Sequence, residues 1–217
     1  MSDTKENILL TALRLFARDG YKAVSVSAIA GELGMTKGAL YKHYKNKRAI
    51  FDSIVARMYQ IDIERAKNYE VPEETFDQTP LAYRDTSVEK IKNFIEAQFY
   101  FWTEDDFARD FRKMLTLEQY RDPEMADLYQ KCLASGPVSY TEDLFREMTV
   151  QGVRNKGCPK QLALEFYAPL YLLISIADAS NETDRGEAAG LLKAHVDRFF
   201  GYAAEQRTIK KKSSNEI

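Results

Sequence analysis

Apolar residues at Ile8, Leu9, Ala12, Leu13, Phe16 and Ala17 recur at the i, i+4 interval of an amphipathic helix, and Gly20 ends the pattern as a C-terminal glycine should. A short second helix is predicted after Ser25, running through Ile29 and Ala30 to Leu33, with Gly34 behind it. A third follows Thr36 and carries Leu40 and Tyr44. Asn46 then caps a long helix whose inward face reads Ile50, Phe51, Ile54, Met58 and Ile61. Residues 71–86, with Pro72 and Pro80, read as a linker holding at most a short helical turn.

Beyond the linker the period returns. Val88, Ile91, Phe94, Ile95, Phe99 and Trp102 mark one helix, and Thr103 with Asp106 reads as the cap of the next, which carries Phe107, Phe111, Met114 and Leu115. Asp122-Pro123 opens a helix that should kink or break at Gly136-Pro137. Cys158-Pro159 opens another, and Asp184 is expected to cap the last, which should end near Ala204. From Glu205 the chain is polar and is expected to be a disordered tail. No alternating strand and no internal repeat is present, so the fold class is all-α.

Charge changes the picture. The 217 residues hold 31 Lys/Arg and 33 Asp/Glu, a net −2 that argues against a nucleic-acid binder. Residues 1–58, however, contain ten basic residues and five acids, hence +5, and the remainder carries −7. The near-neutral total is the sum of two opposite segments. The start, Met1 to Glu6, is polar and shows no signal peptide, and the longest apolar run, Phe166 to Ala177, is about half of a membrane span. Cytoplasmic residence and no membrane partner are therefore expected. Cys132 and Cys158 are too few for a disulfide framework and read as reduced thiols, with a redox switch as the lesser alternative.

The basic segment contains one motif with chemistry in it. Ala30 is small where two helices cross, Gly34 four residues later supplies a left-handed turn, and Leu40 six residues further packs the second helix back onto Ile29 and Leu33. This is helix-turn-helix spacing, and it leaves the second helix free to enter a major groove. Thr36, Lys37, Gly38, Tyr41 and Lys42 are then presented outward; lysines can donate to base acceptors or phosphates, and Tyr41, His43 and Tyr44 to phosphate oxygens. Lys47, beside the start of the long helix, is expected at a backbone phosphate. The plainer alternative is a three-helix core with a solvated basic face.

The stretch from Gly20 to Ile50, GYKAVSVSAIAGELGMTKGALYKHYKNKRAI, closely resembles the N-terminal domain of the TetR family of bacterial transcriptional repressors. The resemblance lies in Gly20-Tyr21, Ile29-Ala30, Gly34, Lys37-Gly38, Leu40-Tyr41, His43-Tyr44 and Lys47, and covers roughly the first 60 residues. It implies a homodimer on a pseudo-palindromic double-stranded DNA operator, released by a small molecule bound in the C-terminal part. By position, Thr36, Lys37 and Gly38 would face bases, and Ser25, Tyr41, His43 and Lys47 would hold phosphates. Val24 and Ser25 stand where threonines are frequent in the family, and Arg48 where an acid is usual. The organisation expected is a helix-turn-helix domain over 1–47, a multi-helix ligand-binding and dimerisation bundle over 48–205, and a polar tail over 206–217.

In the C-terminal part the aromatics Phe94, Phe99, Trp102, Phe111, Phe166, Tyr167 and Tyr171 are the candidates for an effector pocket suited to an apolar or planar molecule, with core packing as the alternative. Leu170, Ile174, Leu191, Leu192, His195, Val196 and Phe199 are the candidates for a two-fold interface, and His195 fits that role better than effector ligation. A C-terminal half that docks a protein instead of a small molecule is the second hypothesis. With two histidines and no nucleophile, phosphate-loop or zinc motif, neither a metal, a cofactor nor an enzymatic activity is expected.

Overall fold

Side-chain caps and two left-handed glycines set the boundaries of the N-terminal helices in the computed structural model, which describes residues 3–151, 157–178 and 182–214, for 182, 183 and 202–214 the backbone only. Helix α1 (Asp3–Asp19) ends at Gly20, whose φ of 89° turns the chain away. Helix α2 (Val26–Glu32) starts at Ser25, whose Oγ accepts from the Ala28 amide at 3.1 Å. Gly34, at φ 63°, makes the turn to α3 (Lys37–Tyr41), capped by Thr36 Oγ1 on the Ala39 amide at 3.2 Å. Asn46 Oδ1 caps α4 (Lys47–Asn68) through the Ala49 amide at 2.8 Å.

The 71–86 segment holds one short helix, α5 (Pro80–Arg84), as its composition predicts. It is not loose: Tyr83 is buried and its hydroxyl donates to the Glu74 carbonyl, while Tyr140 donates to that of Pro72. Then follow α6 (Val88–Glu104), α7 (Asp106–Glu118), α8 (Pro123–Leu133), α9 (Ser135–Val150), α10 (Pro159–Asp178) and α11 (Glu182–Ser214). Among the described residues no strand occurs.

Four predicted boundaries move, each for a local reason. The cap of α7 is Asp105, whose Oδ1 accepts from the Ala108 amide; Thr103 is buried inside α6 and its hydroxyl donates to the Phe99 carbonyl. The break between α8 and α9 falls at Ala134, so Pro137 sits in the first turn of α9, where its missing amide costs nothing. Helix α11 begins at Glu182, which puts Asp184 inside it. It also continues to Ser214 instead of stopping near Ala204, because no Gly or Pro interrupts the Glu, Gln, Arg and Lys of 205–212, all good helix formers.

The helices form two compact units. The first takes the chain up to residue 63 together with 104–132; the second takes 64–103 and 133 onward. In the first, α1 packs along α7, burying Ile8, Leu9, Ala12, Leu13 and Phe16 of one and Ala108, Phe111, Met114 and Leu115 of the other. Each of the Ile, Leu, Phe and Met side chains contributes about 1.5–3 kcal/mol on burial. The expected boundary at residue 47 is therefore not where contacts thin out, since helices α7 and most of α8 join the N-terminal helices. In the second unit, α10 packs on α9 and α11 around Phe145, Phe166, Phe199 and Phe200.

The two left-handed glycines differ in one respect. A Cβ on Gly34 would meet nothing within 4 Å, but one on Gly20 would lie 2.5 Å from Glu118 Oε1, and Glu118 is only 1% exposed. Gly34→Ala should therefore cost about 1–2 kcal/mol, the backbone penalty alone. Gly20→Ala should cost clearly more, because a buried carboxylate must also move. Urea unfolding of the two variants checks this; equal losses would contradict it.

Candidate nucleic-acid interface

Helices α2 and α3 owe their crossing to three buried residues: Ile29 and Ala30 on α2, and Leu40 on α3. With Leu40 inward, the 3.6-residue period turns Lys37, Gly38, Tyr41 and Lys42 outward, and all four are exposed. Ser25 and Thr36 are exposed as well. Each hydroxyl oxygen is engaged as a cap acceptor, which leaves its O–H free to donate to an anion. Gly38 presents bare backbone, with nothing nearer than Thr36 Oγ1 at 4.0 Å from where a Cβ would stand. The Lys37 ammonium lies 5.8 Å over the Tyr41 ring. His43 is half-buried, its amide donating to the Leu40 carbonyl. Tyr44 is buried beneath this face and its hydroxyl donates to the Lys5 carbonyl at 3.4 Å, so it supports the motif from inside.

Ion pairing sorts eight of the ten basic residues of the segment. Arg14 is tied to Glu32, Arg18 to Asp19, Lys22 to Asp122, Arg57 to Glu6, and Arg48 to both Asp52 and Glu124. Lys37, Lys42 and Lys45 are exposed and enter no ion pair among the described residues. The one acid of α2 and α3, Glu32, is held by Arg14 at 2.8 Å. Uncompensated positive charge is thus concentrated on α3 and the turn after it.

Lys47 differs from the expectation of a phosphate contact. Its Nζ donates to the carbonyls of Tyr21 at 2.7 Å, Val24 at 2.8 Å and Lys22 at 3.4 Å, and lies 4.4 Å over the Tyr21 ring. Burial pushes its pKa below the ordinary lysine value, against a smaller upward pull from the Glu118 carboxylate. Arg48 donates through Nη1 to Glu124 at 2.6 Å.

The effector candidates do not gather in one place. Phe111 belongs to the first unit, fully buried on α7; Phe94, Phe99, Trp102, Phe166, Tyr167 and Tyr171 belong to the second. Within the second, Phe99, Trp102, Phe166 and Tyr167 are buried, and the Tyr167 hydroxyl donates to the Leu133 carbonyl at 2.9 Å. Tyr171 is 44% exposed, facing away from that core. Phe94 joins an aromatic chain that the sequence did not suggest, in which it meets Tyr69 and Tyr140, and Tyr140 meets Tyr83. These three tyrosines are scattered over 72 positions, so no periodicity signals them.

The interface candidates are likewise redistributed. Leu170, Ile174, Leu192, Val196 and Phe199 are buried within the protomer, and His195 is half-buried with Nε2 3.2 Å from the Phe166 carbonyl. Burial lowers the His195 pKa. Of the set only Leu191 is exposed; the exposed apolar row lies on α10, at Leu164, Tyr171, Leu172 and Ile176. Helix α10 is apolar over more than one face, which leaves its outward direction ambiguous from sequence. Cys132 and Cys158 are free thiols, and burial pushes that of Cys132 up to about 12, far from the reactive range. No group of three or more His, Cys, Asp or Glu that could hold a metal occurs among the described residues, and no helix there is long and apolar enough to cross a membrane.

Comparison with known proteins bears on this geometry. Residues 8–54 match the family described as bacterial regulatory proteins, tetR family. The HTH-type transcriptional regulator YerO of Bacillus subtilis (strain 168) is 39% identical over 70 residues, which are 32% of this chain and 24% of that protein. The HTH-type transcriptional regulator AcrR of Shigella flexneri is 42% identical over 52 residues, 24% of either chain. The chain thus spans about a quarter of the length of these curated relatives. Two solved structures share the fold over almost everything. SmeT in complex with triclosan superposes with a TM-score of 0.67 at 20% identity, covering 92% of this chain and 90% of that one. A transcriptional regulator from Saccharomonospora viridis in complex with choline gives 0.63 at 21% identity, covering 93% and 97%. Residues 8–54 thus carry the N-terminal domain of the bacterial regulatory proteins, tetR family, and the chain as a whole shares its all-helical fold with these solved structures.

Proposed function

We propose that this chain is a cytoplasmic transcriptional repressor that binds a pseudo-palindromic DNA operator as a homodimer and is released by a small apolar or aromatic effector. The observation that carries the DNA reading is the uncompensated row of Lys37, Lys42 and Lys45 on and after an exposed α3. Thr36, Lys37 and Gly38 at its N-terminal end are the residues for base edges; Ser25, Tyr41, Lys42 and His43 flank them as phosphate donors.

The effector reading draws on the second unit, whose aromatic chain through Tyr69, Phe94, Tyr140 and Tyr83 offers planar faces. Support also comes from structural relatives crystallised with triclosan and with choline, the first apolar and aromatic, the second a cation of the kind aromatic faces attract. An effector would act by favouring a dimer whose recognition helices no longer match major grooves about 34 Å apart. The two-fold face is assigned to the exposed row of α10, Leu164, Ala168, Tyr171, Leu172 and Ile176, together with the exposed Leu191 of α11. A row of this kind is self-complementary under a two-fold axis.

Two outcomes are expected. Duplexes selected from a random-sequence pool should contain an inverted repeat; on that site Lys37→Ala should cost about 1–3 kcal/mol and relax discrimination, whereas Lys42→Ala should weaken specific and random DNA alike. Fluorescence anisotropy on both duplexes reads this, and failure of any sequence to enrich would reject the operator reading. Replacing Leu172 and Ile176 by Glu together should yield monomers in sedimentation equilibrium, since buried carboxylates would face each other across the axis. A double variant that remains dimeric would move the interface elsewhere.

A further inference from the structure

The loop from Gly20 to Val24 leads directly into Ser25, the N-cap of α2, so its conformation decides where α2 and then α3 stand. Its own bonding is thin: Val24 donates to the Gly20 carbonyl at 3.4 Å. What holds it comes from two other places in the same unit. From α4, the Lys47 ammonium gathers the carbonyls of Tyr21, Lys22 and Val24. An ammonium has three N–H donors, and three carbonyls use them all. From the α7–α8 turn, Arg121 and Asp122 receive Lys22, whose Nζ donates to the Arg121 carbonyl at 2.8 Å and approaches Asp122 Oδ2 at 3.5 Å.

Glu118, at the end of α7, completes the arrangement and is otherwise unexplained. Its side chain is 1% exposed, and both carboxylate oxygens are buried without a hydrogen bond. A carboxylate placed so is costly unless cations stand near it. Two do. Lys47 interacts with it electrostatically, and Arg121 Nη1 lies 3.8 Å from the same point beside Gly20 that Glu118 Oε1 reaches at 2.5 Å. Only a glycine leaves room for the carboxylate at that point.

We propose that Lys47 and Glu118 are positioning residues for DNA binding: the ammonium clamps the 21–24 carbonyls, and the buried carboxylate is its counter-charge. This rests on the DNA reading above. It departs from the phosphate contact that the position of Lys47 suggests, because an ammonium with three carbonyl acceptors has no donor left for a phosphate. It also makes the end of α7 part of the support of the recognition motif.

Salt dependence separates the two roles. Each phosphate neutralised contributes about 0.9 to the slope of log Kobs against log salt concentration. On the enriched duplex, Lys47→Met should bind about tenfold more weakly with the native slope, whereas Lys42→Ala should lower the slope by about 0.9. A misfolded fraction scales Kobs without changing the slope, so a poorly folding variant still reports. Glu118→Gln should also weaken binding. If Glu118 merely restrained a phosphate-seeking lysine, that variant would bind DNA more tightly and with a steeper slope.

Hydrogen–deuterium exchange of the free protein supplies the second readout. In Lys47→Met, amides of residues 21–28 should exchange faster, those of 9–16 in α1 at the native rate, and Lys47→Arg should restore most of the protection. A slope reduced by about 0.9 in Lys47→Met, or tighter binding by Glu118→Gln, overturns the proposal. Unchanged exchange over 21–28 overturns it as well. Absence of DNA binding by the native protein would instead reject the DNA reading, and the exchange result would still decide whether Lys47 holds the loop.

Discussion

The packing of α1 against α7 is the contact on which the first unit is built. Helix α1 buries Ile8, Leu9, Ala12, Leu13, Leu15 and Phe16, too many for one narrow stripe, so it cannot serve a three-helix motif alone. One side closes on α2, and another on Ala108, Phe111 and Leu115 of α7, about a hundred residues later in the chain. Removing α7 would expose apolar area worth several side chains at about 1.5–3 kcal/mol each, a large part of what a small domain has in total. Residues 1–47 are therefore a segment of sequence with a recognisable motif and not a self-sufficient folding unit.

The helix-turn-helix was legible because its determinants are local. Ser25, Thr36 and Asn46 cap, Gly20 and Gly34 turn, and Ile29, Ala30 and Leu40 close the crossing, all within 27 residues. Propensity and periodicity read such features directly. The second unit resisted the same reading because α10, at its centre of packing, is apolar on several faces. On α10, Leu170 and Ile174 point into the protomer while Leu172 and Ile176 point out, yet all four are aliphatic. Only the neighbours decide which face is which. The pocket candidates failed to converge for a related reason: Phe111 follows Phe107 on an aromatic-rich stretch, but α7 belongs to α1.

Single residues at helix ends show the limit of pattern matching in finer grain. Thr103 and Asp105 are both good N-cap types two positions apart. The threonine hydroxyl, buried within α6, satisfies itself on the Phe99 carbonyl, which leaves the aspartate to accept the Ala108 amide. Arg48 follows the same logic. Its guanidinium is matched by Glu124, 76 positions away, a pairing that only the folded chain displays.

Charge was the most informative global property, and the structure sharpens how it must be read. Counting gives the first 58 residues +5, but the count treats all lysines and arginines as equal. Five of the ten are spent in ion pairs, four of them well exposed, where water screens the attraction and little stability results. Their larger consequence is subtractive: they remove positive field from the sides of the unit. Lys47 is removed too, by backbone carbonyls instead of carboxylates. Lys37, Lys42 and Lys45 remain outside that pairing, on five residues of helix and the turn behind them. Because salt screens fields beyond about 10 Å at 0.1 M, a phosphate backbone senses such a local set and not the sum over the segment. Pairing therefore carries out the selection that net charge cannot express, and it narrows a basic segment to one helix face.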